Sequence, residues 1–177
     1  ENIYQSAGLP VDYGVGTRLS NLRSNFDTGV TVEFWLKTGS INYSNTTQKQ
    51  VVFDMWNNYS AATTNYGRLT LALHTASAES PSTSQGNAPF VYTLHSWNHY
   101  ALSFANSGSN FVVKLYVNGG LNSTNVHTST TVAELNSKNM MARLGALLTS
   151  PSGSSAAAGA GKLSGSLDEF RFWKQRR

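Results

Sequence analysis

Apolar and polar residues alternate one for one along much of this chain. Val30, Val32, Phe34 and Leu36 alternate with Thr31, Glu33, Trp35 and Lys37, the period of a strand with one buried face. Gln50 to Phe53 reads as a second strand. In a third, Leu69, Leu71 and Leu73 alternate with Thr70, Ala72 and His74. Phe90 to Leu94 is a short fourth. Ser96 to Phe104 and Val112 to Gly120 read as two strands joined by a turn, the second ending in a hairpin corner. There Tyr100, Leu102 and Phe104 share one face, as do Phe111, Val113, Leu115 and Val117. Ala142 to Leu147 and Leu163 to Trp173 complete the series. In the last, Phe170 and Phe172 point one way and Glu169, Arg171 and Trp173 the other.

Polar segments at 38–49, 57–66, 76–89, 119–139 and 148–161 separate these strands. The run Ser-Gly-Ser-Ser-Ala-Ala-Ala-Gly-Ala-Gly at 152–161 has the composition of a flexible loop. Only Thr131 to Asn139 has room for a helical turn, through Val132 and Leu135. This many strands with turn signals between them predict an all-β sandwich or closed barrel. Helices are too few for a parallel α/β sheet.

The chain has 177 residues, enough for one domain with a real core, spanning 1–177. It opens at Glu1 and closes on Lys174-Gln175-Arg176-Arg177 with nothing capping the last strand, so it is expected to be part of a larger protein. Charged residues make up 12% and the net charge is +4. The basic excess is scattered apart from that tail, whereas a nucleic-acid binder gathers Lys and Arg into a stripe. No apolar run approaches the ~20 residues of a membrane span. The absence of cysteine excludes disulfides and thiolate metal sites. Asn-x-Ser/Thr sequons begin at Asn42, Asn45, Asn58 and Asn122; they follow from a composition rich in Asn and Ser, and matter only if a eukaryotic cell secretes the chain.

Four segments, in order, resemble a known family. They are Val30-Thr31-Val32-Glu33-Phe34-Trp35-Leu36-Lys37, Trp97-Asn98-His99-Tyr100-Ala101-Leu102, Lys114-Leu115-Tyr116-Val117-Asn118-Gly119 and Gly165-Ser166-Leu167-Asp168-Glu169-Phe170-Arg171-Phe172-Trp173. Together they look like the concanavalin A-like lectin/glucanase superfamily, in its laminin G-like and pentraxin-like branch, over about residues 14–173. The resemblance implies a two-sheet antiparallel jelly-roll sandwich. It also implies binding to glycans or proteins, often with calcium, as a module of a larger extracellular protein. Val52-Phe53-Asp54-Met55-Trp56-Asn57 and the Trp173-Lys174-x-Arg-Arg ending look like the modules of this kind found in phage structural and tail proteins.

Catalysis finds little support in the residues. Glycoside hydrolysis needs two carboxylates across one cleft, ~5–5.5 Å apart for retention and wider for inversion. The catalytic branch of the superfamily supplies them from a Glu-x-Asp-x-x-Glu strand, which this chain lacks. Its one adjacent acidic pair is Asp168-Glu169, and neighbours on a strand face opposite sides. Gly-x-Ser-x-Gly is absent too.

Calcium wants six to eight oxygens, with carboxylates among them. The resemblance implies a structural calcium joining Asp12, near the N-terminus, to Asp168 on the last strand. The plainer reading has Asp168 bonding backbone amides where that strand begins. The rim loops hold only the isolated Glu79 and Glu134, too few acids for a tight rim site. His95, His99 and Asp54 have no recognisable metal spacing.

Sugar binding asks for an exposed aromatic to stack on a pyranose and for amides to bond its hydroxyls. Asp54, Trp56, Asn57, Asn58 and Tyr59 offer these at the end of one strand. Asn65 and Tyr66 lie on the return side of that loop, and His74 is expected on the same sheet face. The plainer reading has Trp56 capping the core and the Asn residues making turns. Trp35 faces away from Phe34 and is expected beneath a crossing loop rather than on an open sheet face. Trp97 is expected to cover one end of the sandwich, with His99 as hydrogen-bonded packing.

The reading as a whole is a non-catalytic, lectin-like recognition module of an extracellular or virion surface. Its partner would be a cell-surface glycan, with calcium as the one cofactor to consider. The alternative is a structural or decoration domain of a virion that packs on neighbouring copies. Exposed aromatics beside Asn and Asp would favour the first; buried aromatics and an apolar or edge-strand surface would favour the second.

Overall fold

The computed structural model describes residues 3–4, 10–11, 21–38, 50–57, 59, 66–73, 75–80, 83–85, 96–135, 140–148 and 161–177. These contain twelve strands and no helix. The strands are β1 (Ile3–Tyr4), β2 (Pro10–Val11), β3 (Val30–Thr38), β4 (Val51–Trp56), β5 (Arg68–Ala72) and β6 (Thr75–Ser80). They continue with β7 (Thr83–Gln85), β8 (Asn98–Ser107), β9 (Asn110–Val117), β10 (Gly120–His127), β11 (Met141–Leu144) and β12 (Gly165–Trp173). One five-stranded sheet runs β10-β9-β8-β3-β12 and a second runs β11-β4-β5-β6-β7; β1 and β2 form a small pair of their own. All pairings are antiparallel. The fold is the all-β, two-sheet jelly-roll sandwich that the alternation and the family resemblance together predict.

Period-two alternation builds the core. Register sets Val32 opposite Leu102, Phe34 opposite Tyr100 and Val113 opposite Phe104, and all six are buried. The second sheet answers with Phe53, Met55, Leu69 and Leu71. Aromatic rings join the layers: Phe170 lies 6.3 Å from Phe34 in its own sheet and 5.0 Å from Phe53 across the sandwich. Each fully buried side chain of this size stabilises the fold by roughly 1.5–3 kcal/mol.

β12 departs from simple alternation. Leu167, Phe170 and Phe172 all pack on the core, although two of these positions are even and one is odd. A bulge between Asp168 and Arg171 makes the switch, with Glu169 at φ 50°. The extra residue turns the strand over by one position. Adjacent Asp168 and Glu169 are consequently both exposed, so the rule of opposite faces does not describe them.

Two polar segments contain strands that patterning alone reads as loop. β7 and all of β6 but Thr75 lie within 76–89, and β10 lies within 119–139. β10 sets Ser123, Asn125 and His127 opposite the core residues Leu115, Val113 and Phe111, so its inward row is polar and carries no apolar period. Of the helical turn expected over 131–139, residues 131–135 carry no helix and 136–139 lie outside the described residues. Leu135 exchanges two backbone hydrogen bonds with Ser24, of 2.8 and 2.9 Å. The strand expected at Phe90–Leu94 lies outside the described residues.

The β9–β10 hairpin also fixes the start of β8. Asn118 and Gly119 have φ of 49° and 83°, as a two-residue type I′ turn requires. The Asn118 Oδ1 accepts from the His99 backbone N–H at 2.9 Å, and the His99 carbonyl accepts from the Asn118 N–H at 2.8 Å. The Asn118 amide also donates to Asn98 Oδ1. No atom stands within 4 Å of where a Cβ on Gly119 would sit, so the demand for glycine there is conformational. Gly119→Ala is expected to cost about 1–2 kcal/mol, read as a lower urea midpoint at unchanged m-value.

Candidate functional site

The loop after β4 is organised from within. Asp54 is fully buried. It accepts hydrogen bonds from Arg68 Nε at 2.9 Å, Arg68 Nη2 at 2.5 Å, Thr70 Oγ1 at 2.8 Å and the Leu148 backbone N–H at 2.8 Å. Four donors occupy the lone pairs that a carboxylate offers. Arg68 is buried beside it. The chain turns at Gly145, whose N–H donates to the Val52 carbonyl, and crosses the outer side of β4. Leu147 then packs with Val51 and Ala72, and Leu148 with Met141 and Trp56.

The expectation that Asp54 meets a ligand is therefore corrected: its carboxylate lies beneath this crossing segment and holds it down. Asn57 is buried as well, its Oδ1 accepting from the Gly67 and Tyr59 N–H groups at 3.0 and 3.4 Å. Trp56 is half-buried, and its indole N–H donates to the Tyr59 carbonyl at 2.8 Å. Tyr59 is the exposed aromatic of this loop. Asn58, Asn65 and His74 lie outside the described residues.

The other sheet presents a different surface. Its core side uses Val30, Val32, Phe34 and Leu36, so the pleat sends Glu33, Trp35 and Lys37 outward. Register places Trp35 between His99 on β8 and Asp168 on β12. It places Glu33 between Ala101 and Arg171, with Tyr116 on β9 beyond Ala101. Trp35 is 40% exposed and its ring centroid lies 5.5 Å from that of His99. Trp97, two residues before His99, is 44% exposed. Trp35 thus stands on an exposed sheet face, contrary to expectation, and Trp97 is partly exposed as well.

Arg171 pairs with two carboxylates on this face, which also carries Lys37, Lys114 and Asp168. Its Nη1 lies 3.4 Å from Glu33 Oε1, and its Nη2 donates to Glu169. Lower on the same face the chain covers itself. The Arg177 N–H donates to Thr31 Oγ1, and the Arg177 guanidinium lies 4.0 Å over the Trp173 ring. The open part is therefore the corner of Trp35, His99, Ala101, Tyr116, Glu33 and Arg171. An exposed indole beside a carboxylate and a guanidinium can stack on an apolar ring face and exchange hydrogen bonds with hydroxyls. Alternation along Val30–Lys37 put Trp35 on the outward side; whether a loop covers it is not written in the strand.

Asp168 has a local partner. Its Oδ1 accepts from the Glu169 backbone N–H at 2.8 Å, inside the β12 bulge. Among the described residues no three His, Cys, Asp or Glu side chains converge. Asp12 lies outside them. Of the rim acids, Glu134 pairs with Arg23 at 2.5 Å.

Two outcomes follow from these contacts. Asp54→Ala leaves Arg68 buried without its counter-charge and is expected to cost about 3–5 kcal/mol in chemical denaturation. The apolar double variant Asp54→Leu/Arg68→Met is expected to lose less. Asp168→Asn keeps an acceptor for the Glu169 N–H, whereas Asp168→Ala removes it and is expected to cost about 1 kcal/mol. Calcium or a chelator is expected to leave the Tm of the wild type and both Asp168 variants unchanged. A chelator-induced fall that Asp168→Asn abolishes would instead establish a metal role for Asp168.

Solved structures share this architecture. The binding domain of botulinum neurotoxin serotype G superposes with a TM-score of 0.57 at 10% identity, over 98% of this chain and 39% of that one. The mouse laminin α1 chain, domains LG4-5, gives 0.56 at 10% identity, over 99% and 45%. The CBM40 of a Ruminococcus gnavus IT-sialidase gives 0.50 at 18% identity, over 85% and 78%. The chain thus spans less than half the length of the first two. No curated protein matches it in sequence. A laminin G family model, described as the concanavalin A-like lectin/glucanases superfamily, matches residues 14–177. With the four ordered motifs, the two antiparallel sheets and this match over nearly its full length, the chain belongs to the laminin G-like branch of the concanavalin A-like lectin/glucanases superfamily.

Proposed function

We propose that this chain is a non-catalytic recognition module that binds glycans, carried by a larger protein at a cell or virion surface. The observation that carries this reading is the exposed Trp35 indole on an open sheet face, beside His99, Glu33 and Arg171. A large aromatic left in water is a cost that ligand binding can recover, and stacking on a sugar ring uses its apolar face. The sialidase module that shares the fold supports the same direction.

Catalysis is not part of the proposal. Asp54 is buried and paired, and Glu33 and Glu169 both turn to one arginine. This is an arrangement for holding charge on a sheet face, unlike two carboxylates facing each other across a cleft. Among the described residues no helix is long and apolar enough to cross a membrane.

One observation favours a second reading, contact between copies in an assembly. On β10, Leu121 and Val126 are exposed and the strand carries no Lys, Arg, Asp or Glu. Such a strand has little to discourage edge pairing.

A broad array of immobilised glycans, probed with the whole chain with and without calcium, tests the first reading. Saturable binding to a defined subset, without release of free sugar, is expected. No binding anywhere on the array, together with self-association in sedimentation, would turn the assignment to the second.

A further inference from the structure

We infer that a second copy of this chain pairs antiparallel along β10, about a twofold axis at Asn125, so that their sheets join edge to edge into one. The inference rests on the reading of contact between copies above and adds the register, the symmetry and the side chains that meet.

The edge follows from the topology. Among the described residues the two large sheets end on β10, β12, β11 and β7. Native edges are blunted by shortness, by charge or by bulges. β7 has three residues and β11 has four. β12 carries Asp168, Glu169 and Arg171, with a bulge among them. β10 has eight residues and no Lys, Arg, Asp or Glu. Its bulge falls near its start, between Leu121 and Ser123, and from Ser123 to His127 it pairs regularly with β9. Among the described residues β9 is its only strand partner.

Unmet polar groups mark the same strand. Ser123 Oγ, Asn125 Nδ2 and His127 Nε2 are buried and make no hydrogen bond. They share the inward row of β10, across from Leu115, Val113 and Phe111. Burying a polar atom without a partner is costly, and a partner strand can recover that cost. The row is self-complementary. With Asn125 on the twofold axis, Asn125 faces its own copy, and Ser123 faces His127 of the partner subunit. Side chains directly across two antiparallel strands stand about 4.5–5.5 Å apart at Cβ. One amide then bonds the other, and each hydroxyl meets an imidazole nitrogen. All three residues are half-buried, so rotation of each side chain brings its polar atom to the open edge. Neighbouring registers lose this match. An axis at Thr124 sets His127 against Leu121, and one at Val126 carries Ser123 past the end of the partner's strand.

The outward row fits as well. Thr124 and Val126 are exposed, and the same axis sets each across from the other in the partner subunit. Lys114 stands on β9 beside Thr124, three strand spacings from its own copy, roughly 14 Å or more. That exceeds the Debye length of ~8 Å at physiological salt, so the two ammonium groups oppose pairing little. The contact is small beside the roughly 20–30 residues a side of a standard interface. It therefore forms reversibly and its population rises with concentration. A twofold between antiparallel strands stands perpendicular to the sheet, so both Trp35 side chains look out of one surface. They lie seven strand spacings apart along the sheet, roughly 34 Å, an arrangement suited to a surface that carries many copies of one ligand.

The test is sedimentation of the whole chain over a concentration series, with no glycan present. The wild type is expected to pass reversibly from monomer to dimer. Asn125→Asp sets two carboxylates face to face on the axis and is expected to raise the dimer Kd about tenfold or more. Val126→Lys charges the edge at an exposed position and is expected to weaken the dimer with wild-type circular dichroism; it carries the test if Asn125→Asp does not fold. The chain has no cysteine, so a single introduced one reports its own neighbours. Asn125→Cys is expected to give a disulfide-linked dimer under mild oxidation, and the exposed Asn122→Cys, away from the axis, to stay unlinked. If the wild type is monomeric at every concentration, this inference and the reading beneath it both fail. If the wild type and both charged variants associate equally and Asn125→Cys stays unlinked, contact between copies stands and this strand is wrong. If the charged variants are monomeric but Asn122→Cys links in place of Asn125→Cys, the edge is right and the register is overturned.

Discussion

The contact on which the shape of this protein most depends is the buried ion pair between Asp54 and Arg68. Two charges out of water are expensive unless every lone pair and proton near them is satisfied. Here the satisfaction is complete on the carboxylate side, through Arg68, Thr70 and the Leu148 amide. That last bond couples electrostatics to topology. It pins the segment after β11 across the outer side of β4, where Leu147 and Leu148 find apolar company. The outer side of β4 is thereby covered in this region.

The other sheet depends on a single extra residue. Had β12 kept the parity of Leu167, then Glu169, Arg171 and Trp173 would have turned into the core, and Phe170 and Phe172 into water. The bulge at Asp168–Arg171 reverses this. It brings Phe170 against Phe34 and Phe53, and it sets Arg171 directly opposite Glu33 on the outer face. The same irregularity serves packing on one side and charge pairing on the other. The Asp168 carboxylate, bonded to the Glu169 amide within the bulge, helps hold the reversal.

The sequence made parts of this legible. The strands at Val30–Lys37, Tyr100–Phe104 and Phe111–Val117 carry their period openly, because burial of one face leaves its mark at every second position. β10 left no such mark, since its inward row is Ser123, Asn125 and His127. Asp54 was misread because an acid next to Trp and Asn at a strand end looks the same whether it meets solvent or an arginine fourteen residues on. Trp35 shows the converse limit. Alternation settles which way the side chain leaves the sheet; its exposure depends on where other segments run, and no local pattern encodes that.

The turn at Asn118–Gly119 adds one more consequence. By clamping both backbone groups of His99 and the amide of Asn98, it holds the strand beneath the aromatic corner in a single geometry. A surface set in this way loses little conformational entropy when something settles on it. Association would then resemble the closing of a preformed mould, with free and bound backbones nearly superposable. Tighter variants would have to come from new contacts, because rigidity is already in place.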